Sequence, residues 1–485
     1  MKKLIIYVLV SSLMTSCSLA PKYERPFMPV PEHFKETGTW APAQMTTPSA
    51  EVIPWWEVYN DPVLNRLEGL IELTNQNLKA AFYRYQEATA LAQVARSGFY
   101  PNIQGTLNSN REQTSTVIAD PNTPALYNNF IIGSQVNYEL DAWGSIRNAV
   151  VAQQSLANAS AAELAAASLS VHAELASDYF SLRGCDESQR ILDSTVVAYE
   201  KALYLTKKRF NGGASPIEDV DKAQTQLENA KTLAADMRLK RAQFEHAIAL
   251  LIGEFPANFS LPAAKIPRTL IQITPEMPST LLERRPDIAA AEFRVKSANA
   301  NIGVARAAFF PVLDLTGLIG FQSQSLSNLI SKPALFWSLG PVTALALAQP
   351  SVAMTLFDGG KLTGLLKGAK ASYFETAAEY RQTVLTAFRE VEDNLVAVRQ
   401  LDKQIRSQKA ASQAAKRALT QANHRYSGGL VTFLDVVVVE NIALQTELSA
   451  VSVFTRRQIA SVGLIKALGG GWVNLNNKRL IKNKA

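Results

Sequence analysis

The phrase RFNGGASPIEDV begins at Arg209, and RYSGGLVTFLDV begins at Arg425, 216 residues later. Two near-copies at so wide a spacing mean that a whole structural half recurs, which restricts the chain to a duplicated architecture. Other landmarks keep step. ARSGFYPNI (95–103) matches ARAAFFPVL (305–313), and each closes a helical pattern on an aromatic pair followed by a proline that cannot continue the ladder. LDAWG (140–144) matches LFDGG (356–360) more loosely. Asp141 and Asp358 stand one place out of step, yet each is placed to cap the helix that follows.

Each half reads as helix, strand, strand, long helix, double-glycine turn and returning helix. The first repeat covers 62–254, with strands at about 102–114 and 128–140, a long helix over 141–208 and a return helix over 218–252. The second covers 286–472, with a helix over 287–308, strands at about 311–326 and 343–357, a long helix over 361–423 and a return helix over 433–468. The strand regions mix small, polar and apolar residues at roughly period two, the faint signature of transmembrane β-strands. The long segments lack proline, and the first, NAVVAQQSLANASAAELAAASLSVHAELASDYF, is dense in alanine, the best helix former. Roughly 65 helical residues at 1.5 Å each make a rod about 100 Å long, which must pack sideways along most of its length. Gly212–Gly213 and Gly428–Gly429 end each rod and turn the chain. Asp219 and Asp435 fall in the first turns of the return helices, where a carboxylate suits the helix dipole. A proline-rich linker over 255–285 joins the repeats.

The N-terminus reads MKKLIIYVLVSSLMTSC, two lysines before an apolar run too short to span a bilayer. Residues 1–16 read as a secretory leader that ends before Cys17, and 17–61 as an extended arm rich in proline, threonine and serine. The tail over 473–485 is locally basic, but a net charge of +7 on 485 residues, without clustered basic and aromatic residues, gives no nucleic-acid footprint. Cys185 is the only other cysteine, so no intramolecular disulfide forms after processing. His33, His172, His246 and His424 are dispersed, without metal-ligand spacing, and read as surface or packing residues; no nucleophile elbow is present, and catalysis has no support. Beyond the leader no stretch holds about twenty continuous apolar residues, so any membrane crossing must use closed β-strands. Four strands cannot close around a pore, and several copies would have to share one sheet.

Four motifs in fixed order carry a resemblance: CSLAPKYERP at the mature start, RRPDI (284–288) at the midpoint, FDGG at the second long helix, and KALGGGW (466–472) at the end of the last one. Together they make residues 17–472 resemble the TolC-like outer-membrane factors, in the lipoprotein branch typified by OprM and NodT. The resemblance implies an α+β membrane protein: a homotrimer whose protomers each give four strands to one 12-stranded outer-membrane β-barrel, continued by a long periplasmic α-helical barrel. It implies no cofactor beyond covalent lipid, N-acyl and S-diacylglycerol, on Cys17. It implies a lipid-anchored protein of a Gram-negative outer membrane, with a periplasmic adaptor and an inner-membrane resistance-nodulation-division pump as partners. The cargo would be drugs or other small toxic compounds in passive transit. A type I protein-secretion channel and a lipid-anchored periplasmic scaffold without a pore are the alternatives.

By the same resemblance, the double-glycine turns are where the adaptor docks, which assigns Arg209, Phe210, Gly212, Gly213, Arg425, Tyr426, Gly428 and Gly429; the plainer reading is that these glycines only turn the chain. The family often closes its periplasmic mouth with acids in a pattern like LDVLDAQ. This chain reads LDVVVVE (434–440). Leu434 and Asp435 match, Val438 replaces the second acid, and Glu440 stands where glutamine is usual. The expected gate is therefore Leu434, Asp435 and Val438, with an apolar constriction in place of one acidic ring; the plainer reading of Asp435 is a first-turn acid. The chain also spends about eight more residues between WSLGP and FDGG than the family usually does.

Overall fold

The computed structural model describes residues 18–37, 54–113, 115, 126–271, 284–341, 355 and 357–470. Cys17 with the leader, the basic tail and nearly all of 343–357 lie outside the described residues. The helices are α1 (Pro62–Thr74), α2 (Gln76–Ser97), α3 (Ser145–Asn211), α4 (Ile217–Leu251), α5 (Pro286–Ala307), α6 (Lys361–Ser427) and α7 (Phe433–Ala467). The strands are β1 (Asn102–Gln113), β2 (Leu126–Glu139), β3 (Asp314–Ser323) and β4 (Leu335–Pro341). Contacts divide the chain into two compact units, one from Met1–Pro26, Arg84–Ser160 and Ala290–Tyr380, the other from Phe27–Tyr83, Ala161–Ala289 and Arg381–Ala485.

The first unit holds the sheet, antiparallel throughout in the order β1-β2-β3-β4. β4, LFWSLGP, lies before the expected last strand: Leu335 pairs with Phe321 and Pro341 with Leu315 along β3, and the strand expected at about 343–357 lies outside the described residues. The earlier residues alternate cleanly, whereas TALALAQPSVAM offered more hydrophobicity and less period two.

Register sorts the side chains by face. Ile103 pairs with Val136, Leu107 with Ile132, Ile132 with Phe321, Ser134 with Ile319, Ile319 with Trp337 and Gly317 with Leu339. One face is thus an apolar field, and it is open: Leu107 is 80% exposed and Trp337 73%. The opposite face carries Gln104, Thr106, Asn108, Gln135, Asn137, Thr316 and Gln322. Across it Thr316 Oγ1 donates to Asn137 Oδ1 at 3.1 Å, and Gln322 Nε2 to Asn129 Oδ1 at 2.9 Å. Where the two repeats join, Gly133 faces Gly320. A Cβ at Gly320 would lie 2.5 Å from the Ile132 oxygen, and one at Gly133 2.9 Å from the Ile319 oxygen, so the backbones approach too closely for any side chain.

Around the sheet the duplicated landmarks touch. Asp141 accepts from the backbone N–H of Ile146 and of Arg147, both at 3.0 Å, and Asp358 from those of Gly360 and Leu362 at 2.9 and 2.8 Å. Each acid caps its long helix in spite of the one-place slip. Trp143 Nε1 donates to the Pro311 carbonyl at 2.8 Å and its ring stacks on Phe310, so LDAWG of the first repeat meets FFP of the second. The arm is fastened here too. Arg306 donates to the Leu19 carbonyl, Asn299 to the Pro21 carbonyl, Arg25 pairs with Glu292, and Ser18 Oγ donates to Asn148 Oδ1 at 3.0 Å.

The second unit has its main core where Tyr59, Leu64, Leu67 and Ile71 pack against Leu175, Tyr179, Phe180 and Leu182 of α3, with Ile248, Ile252 and Val462. His172 belongs to this core. Its Nδ1 lies 2.6 Å from Glu68 Oε2 and Trp56 stacks on its ring at 4.4 Å. Burial pushes Glu68 up to about 9 and His172 down to about 4, so near neutral pH the pair holds one proton and no net charge.

The repeat extends into buried ion pairs. Asp186 pairs with Arg241 at 2.7 Å, and Asp402 with Arg457 at 2.7 Å, each member 216 residues from its counterpart. Both pairs hold the linker by its backbone. Arg183 and Arg241 donate to the carbonyls of Pro262 and Leu261, Arg457 to that of Ile271, and Gln458 to those of Pro267 and Thr269. The helix junctions are duplicated as well: Asn75 Nδ2 donates to the Leu251 carbonyl at 2.7 Å, and Arg285 to the Ala467 carbonyl at 3.0 Å. Arg285 also pairs with Asp287 and Glu390. RRPDI and KALGGGW, far apart in sequence, are therefore two sides of one joint.

Candidate channel mouth and gate

The two double-glycine turns close in the same way. At the end of α3, Gly213 N–H donates to the Phe210 carbonyl at 2.9 Å and Ala214 N–H to the Arg209 carbonyl at 2.8 Å. At the end of α6, Gly429 N–H donates to the Tyr426 carbonyl at 3.0 Å and Leu430 N–H to the Arg425 carbonyl at 2.9 Å. Gly213 and Gly429 have φ of +74° and +75°, the left-handed conformation that ends a helix and favours glycine. Gly212 and Gly428 lack positive φ, and a Cβ at either would meet its nearest neighbours at an ordinary 3.5 and 3.6 Å. The turn itself requires only the second glycine of each pair.

The turns belong to one cluster. The Arg209 guanidinium lies 4.7 Å over the Tyr426 ring, and Tyr426 packs against Phe433 at 5.6 Å. Beneath them Tyr199 and Leu203 of α3, Val220, Ala223 and Leu227 of α4, and Phe433 and Val437 of α7 form an apolar core. Within LDVVVVE, Val436 and Val437 face inward, while Leu434 and Val438 are 49% and 50% exposed. Ile442, one turn further and 52% exposed, completes an outward apolar stripe at helical spacing. The sequence reading missed Ile442, although its i+4 spacing from Val438 was the available signal.

Asp435 caps α7. Its Oδ2 accepts from the Thr432 N–H at 2.9 Å and from the Thr432 hydroxyl at 2.7 Å, completing a capping box. These bonds, with help from Arg425, hold its carboxyl below the ordinary aspartate range. In the isolated chain Asp435 is thus an exposed, ionised capping acid beside the apolar stripe. Among the described residues no group of three or more His, Cys, Asp or Glu side chains could hold a metal.

The family profile for outer membrane efflux proteins matches residues 69–254 and 277–470, one block for each repeat. The chain belongs to the outer membrane efflux protein family. It is accordingly an outer-membrane channel component of a tripartite efflux pump, a TolC-family protein that conducts and does not catalyse. The outer membrane protein OprJ of Pseudomonas aeruginosa is 31% identical over 470 residues, covering 96% of this chain and 95% of that one. The solved outer-membrane channel OprN superposes with a TM-score of 0.85 at 27% identity, covering 94% of this chain and 100% of that one. The open state of the Neisseria gonorrhoeae MtrE outer membrane channel gives a TM-score of 0.80 at 28% identity, covering 94% and 98%. Efflux proteins of this family work with a periplasmic adaptor and an inner-membrane pump.

Proposed function

We propose that three copies close into one twelve-stranded outer-membrane barrel continued by a periplasmic helical barrel, and that this conduit passes drugs or other small toxic compounds outward. An inner-membrane resistance-nodulation-division pump would supply the energy and a periplasmic adaptor the coupling. The observation that carries the reading is the sheet: an open apolar face for lipid, a polar face for water, and edges at β1 and β4 that, among the described residues, each pair on one side only. Such edges cannot face hydrocarbon, so copies must supply them to one another. α7 points the same way. It is the one helix among the described residues that is long and apolar enough to cross a membrane, yet only 17% of its most apolar window is buried in the single chain. Its charged residues Asp435, Glu440, Glu447, Arg456 and Arg457 do not suit lipid, and two of them, Glu447 and Arg457, are paired within the chain.

Acylation of Cys17 fits the arm. Ser18 is bound beside Asn148 in the first turn of α3, close after β2 ends, so a lipid on the preceding residue would enter the leaflet next to the barrel. This supports the reading of the chain as one of the lipoprotein branch. The stripe of Leu434 and Val438, with Ile442, supports an apolar periplasmic constriction, with Asp435 as the acid beside it.

The reading is tested by reconstitution. The detergent-purified, full-length protein is expected to run as a trimer by native mass spectrometry and to give discrete conductance steps in a planar bilayer. Stable monomers in the membrane, or trimers that never conduct, would sink it and favour the scaffold.

Adaptor docking at the turns has its own support. The second glycines are explained by backbone conformation, whereas Gly212 and Gly428 have room for a side chain and are left to an incoming partner. Gly212→Trp is expected to leave the trimer and its outer-membrane yield unchanged while efflux of a fluorescent dye by cells falls at least about tenfold, the size of effect expected when one interface contact is sterically blocked. Loss of trimer together with efflux would instead assign Gly212 to the turn alone.

A further inference from the structure

Glu440 is the one acid in the seam that α7 presents at the turn end. It lies one turn beyond the buried Val436 and Val437 and one before the buried Ala443, in a stripe otherwise apolar. Its side chain is partly buried, and among the described residues no hydrogen bond or ion pair reaches it.

From α3 the facing titratable group is Tyr199, whose hydroxyl is held above the ordinary phenol range by burial first and by the Glu440 carboxylate second. α4 brings apolar Val220, Ala223 and Leu227; the charged residues beside them are Asp219, Asp221 and the Glu218–Lys222 pair. α6 runs antiparallel to α7, and the Gln408–Thr446 and Lys416–Glu447 contacts set its register. That register sets about 414–423 opposite Glu440, a span that holds Lys416 and Arg417 and ends beside the exposed His424. Lys416 is engaged by Glu447, and Arg417 is exposed. Among the described residues no cation is paired with this carboxyl inside the seam.

We propose that Glu440 makes the seam between α3 and α7 a pH-responsive latch: the closed seam accepts the neutral acid, and ionisation favours a state in which α7 has separated from α3 and let water reach the carboxylate. Where this bears on conduction, it rests on the channel reading above. The physical cause is the cost of a charge without a partner among apolar side chains.

Burial raises the Glu440 carboxyl from its ordinary 4.5 to about 7. The sign follows. The closed seam binds the proton more tightly than the open one, so closure is strongest below about pH 4.5, weakens as pH rises towards about 7, and changes little above that.

Hydrogen exchange over 433–447 in the full-length trimer, corrected for intrinsic rates, tests the latch. Between about pH 5 and pH 7.5 the opening equilibrium of the wild-type segment is expected to rise at least about tenfold, while Glu440→Gln stays at the low-pH level throughout. Tyr199→Phe keeps the carboxyl and is expected to keep the pH response. A wild type without the rise, or a Glu440→Gln protein that shows the same rise, overturns the proposal. Bilayer conductance recorded in parallel separates the two ideas. An exchange response without conductance at any pH leaves the latch standing and removes the channel; conductance with pH-independent exchange does the reverse.

Discussion

Leu107→Arg is expected to keep the protein out of the outer membrane, while Asn108→Arg, one residue on, leaves assembly intact. Leu107 sits near the middle of β1 on the apolar face, paired with Ile132 and almost fully open in the single chain. If that face meets lipid, a guanidinium there costs about 2–4 kcal/mol near the bilayer midplane. A trimer would carry the cost three times in one cooperative assembly. Asn108 points to the polar face, where a cation meets water and alters only ion selectivity. The measurement is the amount of trimer in purified outer membranes for each variant. Equal losses would mean that the two faces do not differ in environment, and the assignment of lipid to one and water to the other would fall.

The second large effect separates two sites that the repeat makes look alike. Asp186 and Asp402 occupy equivalent positions and bind equivalent arginines. Their surroundings differ. The Asp186 carboxylate is 2% exposed and holds Arg183, Arg241 and the Ala264 N–H, and Arg183 is itself 1% exposed. Asp402 is 38% exposed and pairs only with Arg457, which keeps its bond to the Ile271 carbonyl. Removing Asp186 strands two arginines together, one of them the 1% exposed Arg183, at about 3–5 kcal/mol; removing Asp402 strands only Arg457, which is itself 2% exposed but keeps its carbonyl partner, and takes away a carboxylate that water already reaches, at a smaller cost. Asp186→Ala is therefore expected to lower the thermal transition of the purified trimer far more than Asp402→Ala. A comparable fall in both would show that geometry at the linker, and not desolvation, sets the stability of these joints.

Much of this fold could be read from punctuation. Pro101 and Pro311, the double glycines and the proline-rich linker mark where elements stop, and a proline-free, alanine-dense stretch can hardly be anything but a long helix. The last strand could not be placed in this way. LFWSLGP is only seven residues long and drew less notice than the more hydrophobic run after it, and the strand expected in that run lies outside the described residues. The ion pairs at the linker were legible in principle, since Asp186 and Asp402, and Arg241 and Arg457, keep the 216-residue offset of the opening phrase. Arginine and aspartate are too common for that offset to be noticed before the partners are known to touch. RRPDI marked the family without disclosing its work, because the carbonyl that Arg285 binds belongs to Ala467, 182 positions away. At the mouth, sequence supplied Leu434 and Val438 but not the outward direction they share with Ile442, which depends on which side of α7 the α3 core occupies.

Gly133 and Gly320 sit where a strand of the first repeat meets a strand of the second, with no room for a side chain on either. If the two halves slid past each other by one residue, isoleucine or phenylalanine would be driven into a carbonyl, and every side chain of the apolar face would turn to the polar one at once. Two absent side chains thus act as a proofreading notch that lets the halves of the duplicated chain zip together in one alignment.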